Sequence, residues 1–445
     1  MDTVSQCKTR WNSYFVFNII VACFGPFLFG YNSTVIDAPR ELFKECVQSE
    51  DWLPACIEAK TDFLWGTVVS ILYIGALVSS FIAPKLADTY GRKNTIMLNN
   101  IFFISGYSCL ALAPSYSFLV IGRFLIGLAI GTTCSVVPMY LSEISPLKSR
   151  GAVGTFHQMA CVVGLFLAQL MGIGLAQPSI WRFLFAFGLF VSVCQSVLLL
   201  WCCESPVYLK RNSFEKESRV VLKKLWQSDE FKDLEAPKAE TLSLSVLDLL
   251  CLPQARLSLM AGVLIHWGQQ FCGINAVFFF ATKFFAGFSV SPTVISALLG
   301  FLLIPVTILS IWLIERSGRK SLALLSTTGM LLCMIGLTIS MYLDVSIARV
   351  IFVYAYVMSF AVGMGPIPWM IVNEIFPKES VAAASTLIVS VNWICTFAVG
   401  VSFESLQNLI GMIWSFVPFI VSTAVLILFI ATKLKETKGR PAEYL

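Results

Sequence analysis

Apolar residues in this chain gather into runs of roughly 20, the length a helix needs to cross the hydrocarbon core of a bilayer. Twelve such runs can be marked, near 14–36, 63–83, 94–112, 117–140, 153–175, 181–201, 259–281, 292–314, 322–343, 348–372, 383–404 and 410–432. The pattern predicts an all-α membrane protein with 12 transmembrane helices. Composition agrees: apolar residues make up 57% and charged residues 13% of the 445 positions, and the mean hydropathy is +0.80, outside the soluble globular range. The first run has no small-residue cleavage site behind it and continues into DAPREL, so it reads as a span rather than a removable signal.

Charge sets the expected orientation. With the N-terminus in the cytoplasm, 24 of the 31 Lys and Arg fall on the inner side, which places both termini inside. The net charge of +5 is small and no basic tail suggests nucleic acid. Most of the 14 cysteines lie in spans, where a thiol behaves as a small apolar group. Cys46 and Cys56 differ, because both sit in the long outer loop KECVQSEDWLPAC, where a loop-closing disulfide and two free thiols are both open. No cluster of His, Cys and carboxylates has metal-ligand spacing, and no cofactor or metal is expected.

A polar stretch at residues 206–257 separates two sets of six spans, giving an N-terminal bundle at 1–205, a helical cytoplasmic linker and a C-terminal bundle at 258–445. Three segments recur in order at a displacement of about 230 residues: LADTYGRK with LIERSGRK, YLSEISP with IVNEIFP, and CESPVYL with KETKGRP. A parallel repeat of this kind implies pseudo-symmetric bundles with a substrate site between them near the midplane. The repeated charges, Asp88, Arg92, Lys93, Glu143 and Arg150 in one half and Glu315, Arg319, Lys320 and Glu374 in the other, all fall at cytoplasmic span ends. Carboxylate and guanidinium groups there can pair across neighbouring helices, and the expectation is a cytoplasmic gate that favours the outward-open form.

The segment HWGQQFCGINAVFFF, at 266–280, places Gln269, Gln270 and Asn275 in an apolar run. On a regular helix Gln270 and Asn275 diverge by about 140°. Gly273 between them allows the span to unwind or bend, so that both amides reach one cavity.

Taken together, GYNSTVIDAP, GRK, GRFLIG, VPMYLSEISP, RGAVGTFHQMACVVG, CESPVYL, QQFCGINAVFFF, GMGPIPWMIVNEIFP and KETKGR resemble the sugar porter family of the major facilitator superfamily, and within it the facilitative hexose transporters. The resemblance implies alternating-access transport of a hexose, glucose foremost, without enzymatic chemistry. It also implies substrate binding by Gln158, Gln269, Gln270, Asn275, Trp369, Asn392 and Trp393. Carboxamides both donate and accept, as sugar hydroxyls do, and they are cheaper to hold in a membrane than charges. For single residues a packing reading stands beside this one: Gln or Asn as interhelical glue, Trp369 as a packing aromatic, and His157 and His266 as hydrogen bonders at span ends.

Departures from the family pattern carry information. Proton-coupled sugar porters have an acid where this chain has Asn32, and no Asp or Glu stands near the middle of any expected span. A proton carrier needs an intramembrane group that changes protonation, so the expectation is uniport, with proton symport and a transport-silent sensor as the alternatives. Leu303, Ala361 and Val381 stand where facilitative glucose carriers have Asn, Glu and Arg, with Lys378 near the last. The expected partners are a small sugar and the lipid bilayer, and the expected location is the plasma membrane.

Overall fold

The computed structural model describes residues 12–44, 54–57, 59, 61–146, 149–178, 180–226, 244–279, 292–438 and 443–444. Cys46 lies outside them, and for Arg150, Glu315 and Lys378 the description stops at the backbone. The described residues form helices and connecting turns, with no strand among them. The first half contains α1 (Ser13–Thr34), a short α2 (Arg40–Lys44), α3 (Asp62–Tyr90), α4 (Arg92–Ala111), α5 (Tyr116–Ile144), α6 (Arg150–Leu175) and α7 (Arg182–Leu199). The stretch between the halves supplies α8 (Pro206–Arg211), α9 (Glu215–Trp226) and α10 (Val246–Cys251). The second half contains α11 (Arg256–Phe271), α12 (Ile274–Phe279), α13 (Pro292–Ser317), α14 (Arg319–Tyr342), α15 (Ser346–Val362), α16 (Ile367–Ile371), α17 (Lys378–Ile410) and α18 (Val417–Thr432).

Among the described residues, ten segments are long and apolar enough to cross a membrane, one of them, Ser346–Ile371, taken across a break. The other two expected spans fall short for different reasons. The third, α4, opens with Arg92, Lys93 and Asn94 and buries Asn99 and Asn100, so its apolar length is diluted. Asn99 donates its amide nitrogen to Ala129 O at 3.0 Å and Thr133 Oγ1 at 3.2 Å, which ties α4 to α5. The seventh is divided into α11 and α12 at Gly273, whose φ of +91° lies where glycine alone is unstrained. The tenth is divided as well, into α15 and α16, across Gly363–Pro366.

Within the first half the helices approach almost to backbone contact. A Cβ on Gly127 would lie 2.0 Å from Leu72 O, and one on Gly75 would lie 2.3 Å from Phe124 O, so α3 and α5 touch through their glycines. Apolar burial gives little drive between helices already surrounded by lipid, and close van der Waals packing of small residues takes its place. The halves meet along α3 with α17 and along α6 with α13. Trp393 Nε1 donates to Ser80 Oγ at 3.1 Å, and the Phe166 and Phe301 rings lie 5.7 Å apart. On the face opposite α8–α10, Asn408 donates to the Asp62 carboxylate.

Cys56 is disulfide-bonded, and its expected partner Cys46 is outside the described residues. The loop around Cys56 is held by the start of the sixth span. Trp181 Nε1 donates to Ala55 O at 2.8 Å, and Arg182 donates to Pro54 O at 2.9 Å and Ala111 O at 3.0 Å.

Gly127→Leu forces α3 and α5 apart. The expected result is a detergent-solubilised protein less stable than the parent by at least the roughly 1–3 kcal/mol of an overpacked core, seen as a lower unfolding temperature; an unchanged melting temperature would show that the contact tolerates bulk.

Candidate functional site

Between the halves lies a cavity of about 160 Å³. All seven residues singled out from the sequence line it: Gln158, Gln269, Gln270, Asn275, Trp369, Asn392 and Trp393. Every lining side chain is uncharged. The helix break explains the convergence of the amides. With Gly273 in its left-handed conformation, Asn275 at the head of α12 turns back and donates to Gln270 Oε1 on α11.

The amides form a directed chain. Gln270 Nε2 donates to Asn392 Oδ1 at 3.0 Å, and Asn392 Nδ2 donates to Gln269 Oε1 at 2.8 Å. Gln269 Nε2 then donates to Met364 O at 2.8 Å and Gly365 O at 3.1 Å, carbonyls that the break between α15 and α16 has freed. Gln158 alone comes from the first half; its side chain makes no hydrogen bond to any other described residue and lines the cavity with its bonding capacity unspent. Trp393 is nearly fully buried, stacked on Tyr73 with ring centres 5.9 Å apart and edge-on to Phe29 at 6.1 Å. Trp369 tilts against Trp393 at 6.1 Å. The aromatic group therefore joins helices of both halves directly beside the amides.

One member was not recognised from the sequence. His266, read as a hydrogen bonder at a span end, is instead fully buried within α11 and bonded to both Asn392 and Pro368. A signal was present, because His266, Gln269, Gln270 and Gly273 follow the three-and-four spacing of one helical face. Leu303 and Ala361 also line the cavity, placing aliphatic side chains where the family pattern has amide and acid, while Thr307 and Ser310 of α13 add hydroxyls beside them.

Arg123 and Asn32 lie deep in the first half. Arg123 is 1% exposed and donates to Val68 O at 3.1 Å, Val69 O at 2.9 Å and the backbone carbonyl of Asn32 at 2.9 Å. Among the described residues no carboxylate pairs with it. The Asn32 amide donates to Leu28 O at 2.7 Å and to the Tyr107 hydroxyl at 2.5 Å.

The repeated charges build the same socket twice on the face that carries α8–α10. Arg92 bonds Glu143 at 2.9 Å and Asp88 at 3.1 Å, while Arg319 bonds Glu374 at 2.7 Å. The helices that these arginines open lack a side-chain cap, since their N-caps are Gly91 and Gly318 with φ of +97° and +85°. A distant carboxylate supplies each cap. Glu204 accepts from the backbone N–H of Arg92 at 2.8 Å and Lys93 at 3.0 Å; Glu436 accepts from Arg319 at 2.7 Å and Lys320 at 3.0 Å. Ser205 donates to Glu143 in the first half and Thr437 to Glu374 in the second. Each of these pairs joins helices of one half. Burial alone would raise the Glu436 carboxyl, but the N–H donors of Arg319, Lys438 and Lys320 outweigh it and hold the group below its ordinary value.

Comparison with known proteins decides the family. Residues 18–445 match the family described as sugar (and other) transporter. The chain belongs to that family. It is similar to the facilitated glucose transporter member 3 of solute carrier family 2 from Ovis aries, at 32% identity over 98% of this chain and 92% of that protein. It is similar also to member 1 from Gallus gallus, at 33% identity over 94% of this chain and 90% of that protein. In structure it resembles the xylose transporter XylE from E. coli in a partially occluded inward open conformation, with TM-score 0.81, 23% identity, and coverage of 96% of this chain and 100% of that one. The chain is an integral multi-pass membrane protein of the major facilitator fold, and a sugar transporter by family rather than an enzyme.

Two substitutions test the geometry. Gly273→Ala puts a Cβ on a positive-φ residue 3.1 Å from the Phe419 ring, and is expected to weaken sugar binding and lower stability by about 1 kcal/mol or more; calorimetric titration and thermal unfolding would both have to be unchanged for the break to be incidental. A depressed carboxylate stabilises the fold above its unfolded pKa and loses that contribution as pH falls through its folded value. Glu436→Gln should therefore melt below the parent at pH 7.5, and the gap should close on acidification; a gap that is constant with pH excludes the charge as its origin.

Proposed function

We propose that this protein is a facilitative uniporter of hexoses, glucose foremost, working by alternating access in the plasma membrane with both termini in the cytoplasm. The reading is supported chiefly by an uncharged, amide-lined cavity shared by the two halves. Gln158 approaches from one half and the Gln270–Asn392–Gln269 chain from the other, so a polyhydroxylated ligand bonded to both would draw the halves together. Trp369 offers a face on which the C–H side of a pyranose packs, with the buried Trp393 ring behind it. The relatives are named as facilitated glucose transporters, which favours glucose among the hexoses. The uneven distribution of Lys and Arg supports the orientation.

Uniport rests on Asn32 and Arg123. A proton-coupled cycle needs a group that binds and releases a proton inside the membrane. Here the buried guanidinium is bonded by backbone carbonyls, and the neighbouring side chain is an amide, which does not ionise. On the face carrying α8–α10, the paired sockets around Arg92 and Arg319 brace each half as a body that turns as a unit, and the gate role proposed for them acts through that bracing.

In proteoliposomes the protein should equilibrate labelled D-glucose and should not concentrate it under an imposed pH gradient; gradient-driven accumulation would falsify uniport. Gln158→Ala should raise KM about fivefold, the loss of one hydrogen bond of about 1 kcal/mol. Asn32→Asp should pair with Arg123 and slow exchange, with pH dependence appearing only in that variant.

A further inference from the structure

The amide chain has a polarity, and the structure shows what fixes it. A backbone carbonyl can only accept, so the nitrogen facing one must donate. Pro368 O lies 2.9 Å from His266 Nε2, which assigns the ring proton to Nε2 and leaves Nδ1 as an acceptor. Asn392 Nδ2 lies 3.1 Å from Nδ1, so the nitrogen of that amide faces the ring and its oxygen faces Gln270. Met364 O and Gly365 O hold Gln269 in the same sense, with its oxygen towards Asn392. Carbonyls from in and beside the α15–α16 break thus dictate, through His266 and Gln269, which way Asn392 points. Asn392 then orients Gln270, and Gln270 orients Asn275.

We infer that His266 is a positioning residue that locks the donor and acceptor polarity of the substrate amides to the broken tenth span, and that this polarity sets which hydroxyl configurations the carrier distinguishes. The inference rests on the proposed hexose site. A carboxamide rotated by half a turn fits the same space but exchanges donor for acceptor, so shape alone does not select the orientation. With the lock intact, a sugar meets a fixed sequence of donors and acceptors, and an epimer with one hydroxyl displaced meets a mismatched set. Without the ring, Asn392 loses one of the acceptors that fix its nitrogen and keeps its bonds with Gln269 and Gln270 and a 3.5 Å approach to the His266 backbone carbonyl; it then reorients more readily, and neighbouring amides adapt to either epimer. His266 touches the ring of Trp369 edge-on at 5.4 Å, so movement of α16 disturbs the lock directly and links release to the conformational step.

The test compares D-glucose with its C2 and C4 epimers, D-mannose and D-galactose, in proteoliposomes containing the full chain. His266→Leu removes donor and acceptor while filling the space; His266→Gln retains an N–H for Pro368 and an oxygen for Asn392. The expected result is that Leu raises the glucose KM about tenfold, leaves kcat within about twofold and brings the glucose-to-epimer ratio of kcat/KM towards unity, whereas Gln preserves the ratio. An unchanged ratio in the Leu variant overturns the inference. If the Leu variant does not fold, collapse of the ratio in His266→Gln overturns it equally, and a preserved ratio supports it. Failure of the parent protein to carry any hexose would instead strike the proposed function, so the two failures are distinguishable.

Discussion

Hydrocarbon offers no hydrogen bonds, so every polar group at depth must find its partner inside the protein. That constraint governs the centre of this molecule. Breaking the seventh and tenth helices frees backbone carbonyls where water is scarce; Gln269 and His266 bond those of the tenth, and the hydroxyls of Tyr356 and Ser422 bond Cys272 O and Phe271 O beside the break in the seventh. Gln269 and His266 also lead into the chain of amides at the cavity wall, so the elements that repair the backbone of the tenth also orient the recognition surface. A fully helical seventh span would need no repair and would separate Gln270 from Asn275.

In the first half the rule holds for the buried charge of Arg123. Arg123 is bonded by three carbonyls and needs no anion to be satisfied. Glycine contacts between α3 and α5 leave little room for one helix to slide on another, and the Glu204 socket binds the starts of α4 and α8 to the end of α5. Halves braced in this way, meeting at a shared interface, suit the alternating-access cycle proposed above.

Much of this was legible in the sequence, and what was not has physical reasons. Spans follow from hydropathy because lipid imposes a length, and only the polar third and the interrupted seventh fall short of it. The bend at Gly273 follows from helix geometry, since Gln270 and Asn275 converge only if the helix yields between them. The capping roles of Glu204 and Glu436 were hidden, because each carboxylate lies more than a hundred positions from the amides it accepts. The repeat of CESPVYL and KETKGRP marked the segments without showing their partner. His266 was visible by its spacing and misread by its position: a histidine deep in an apolar helix needs acceptors and donors from other helices, and those are set by the tertiary fold. The bond from Trp393 to Ser80 unites residues of opposite halves and had no local signature at all.

The absence of formal charge on the cavity wall has an electrical consequence. Voltage across a bilayer does work only on charge that moves through it, about 2.3 kcal/mol per elementary charge for each 100 mV. A neutral wall turning around a neutral cargo displaces none, so under the uniport cycle proposed above a cell's resting potential would neither drive the carrier nor brake it, and concentration would set the direction of net flux.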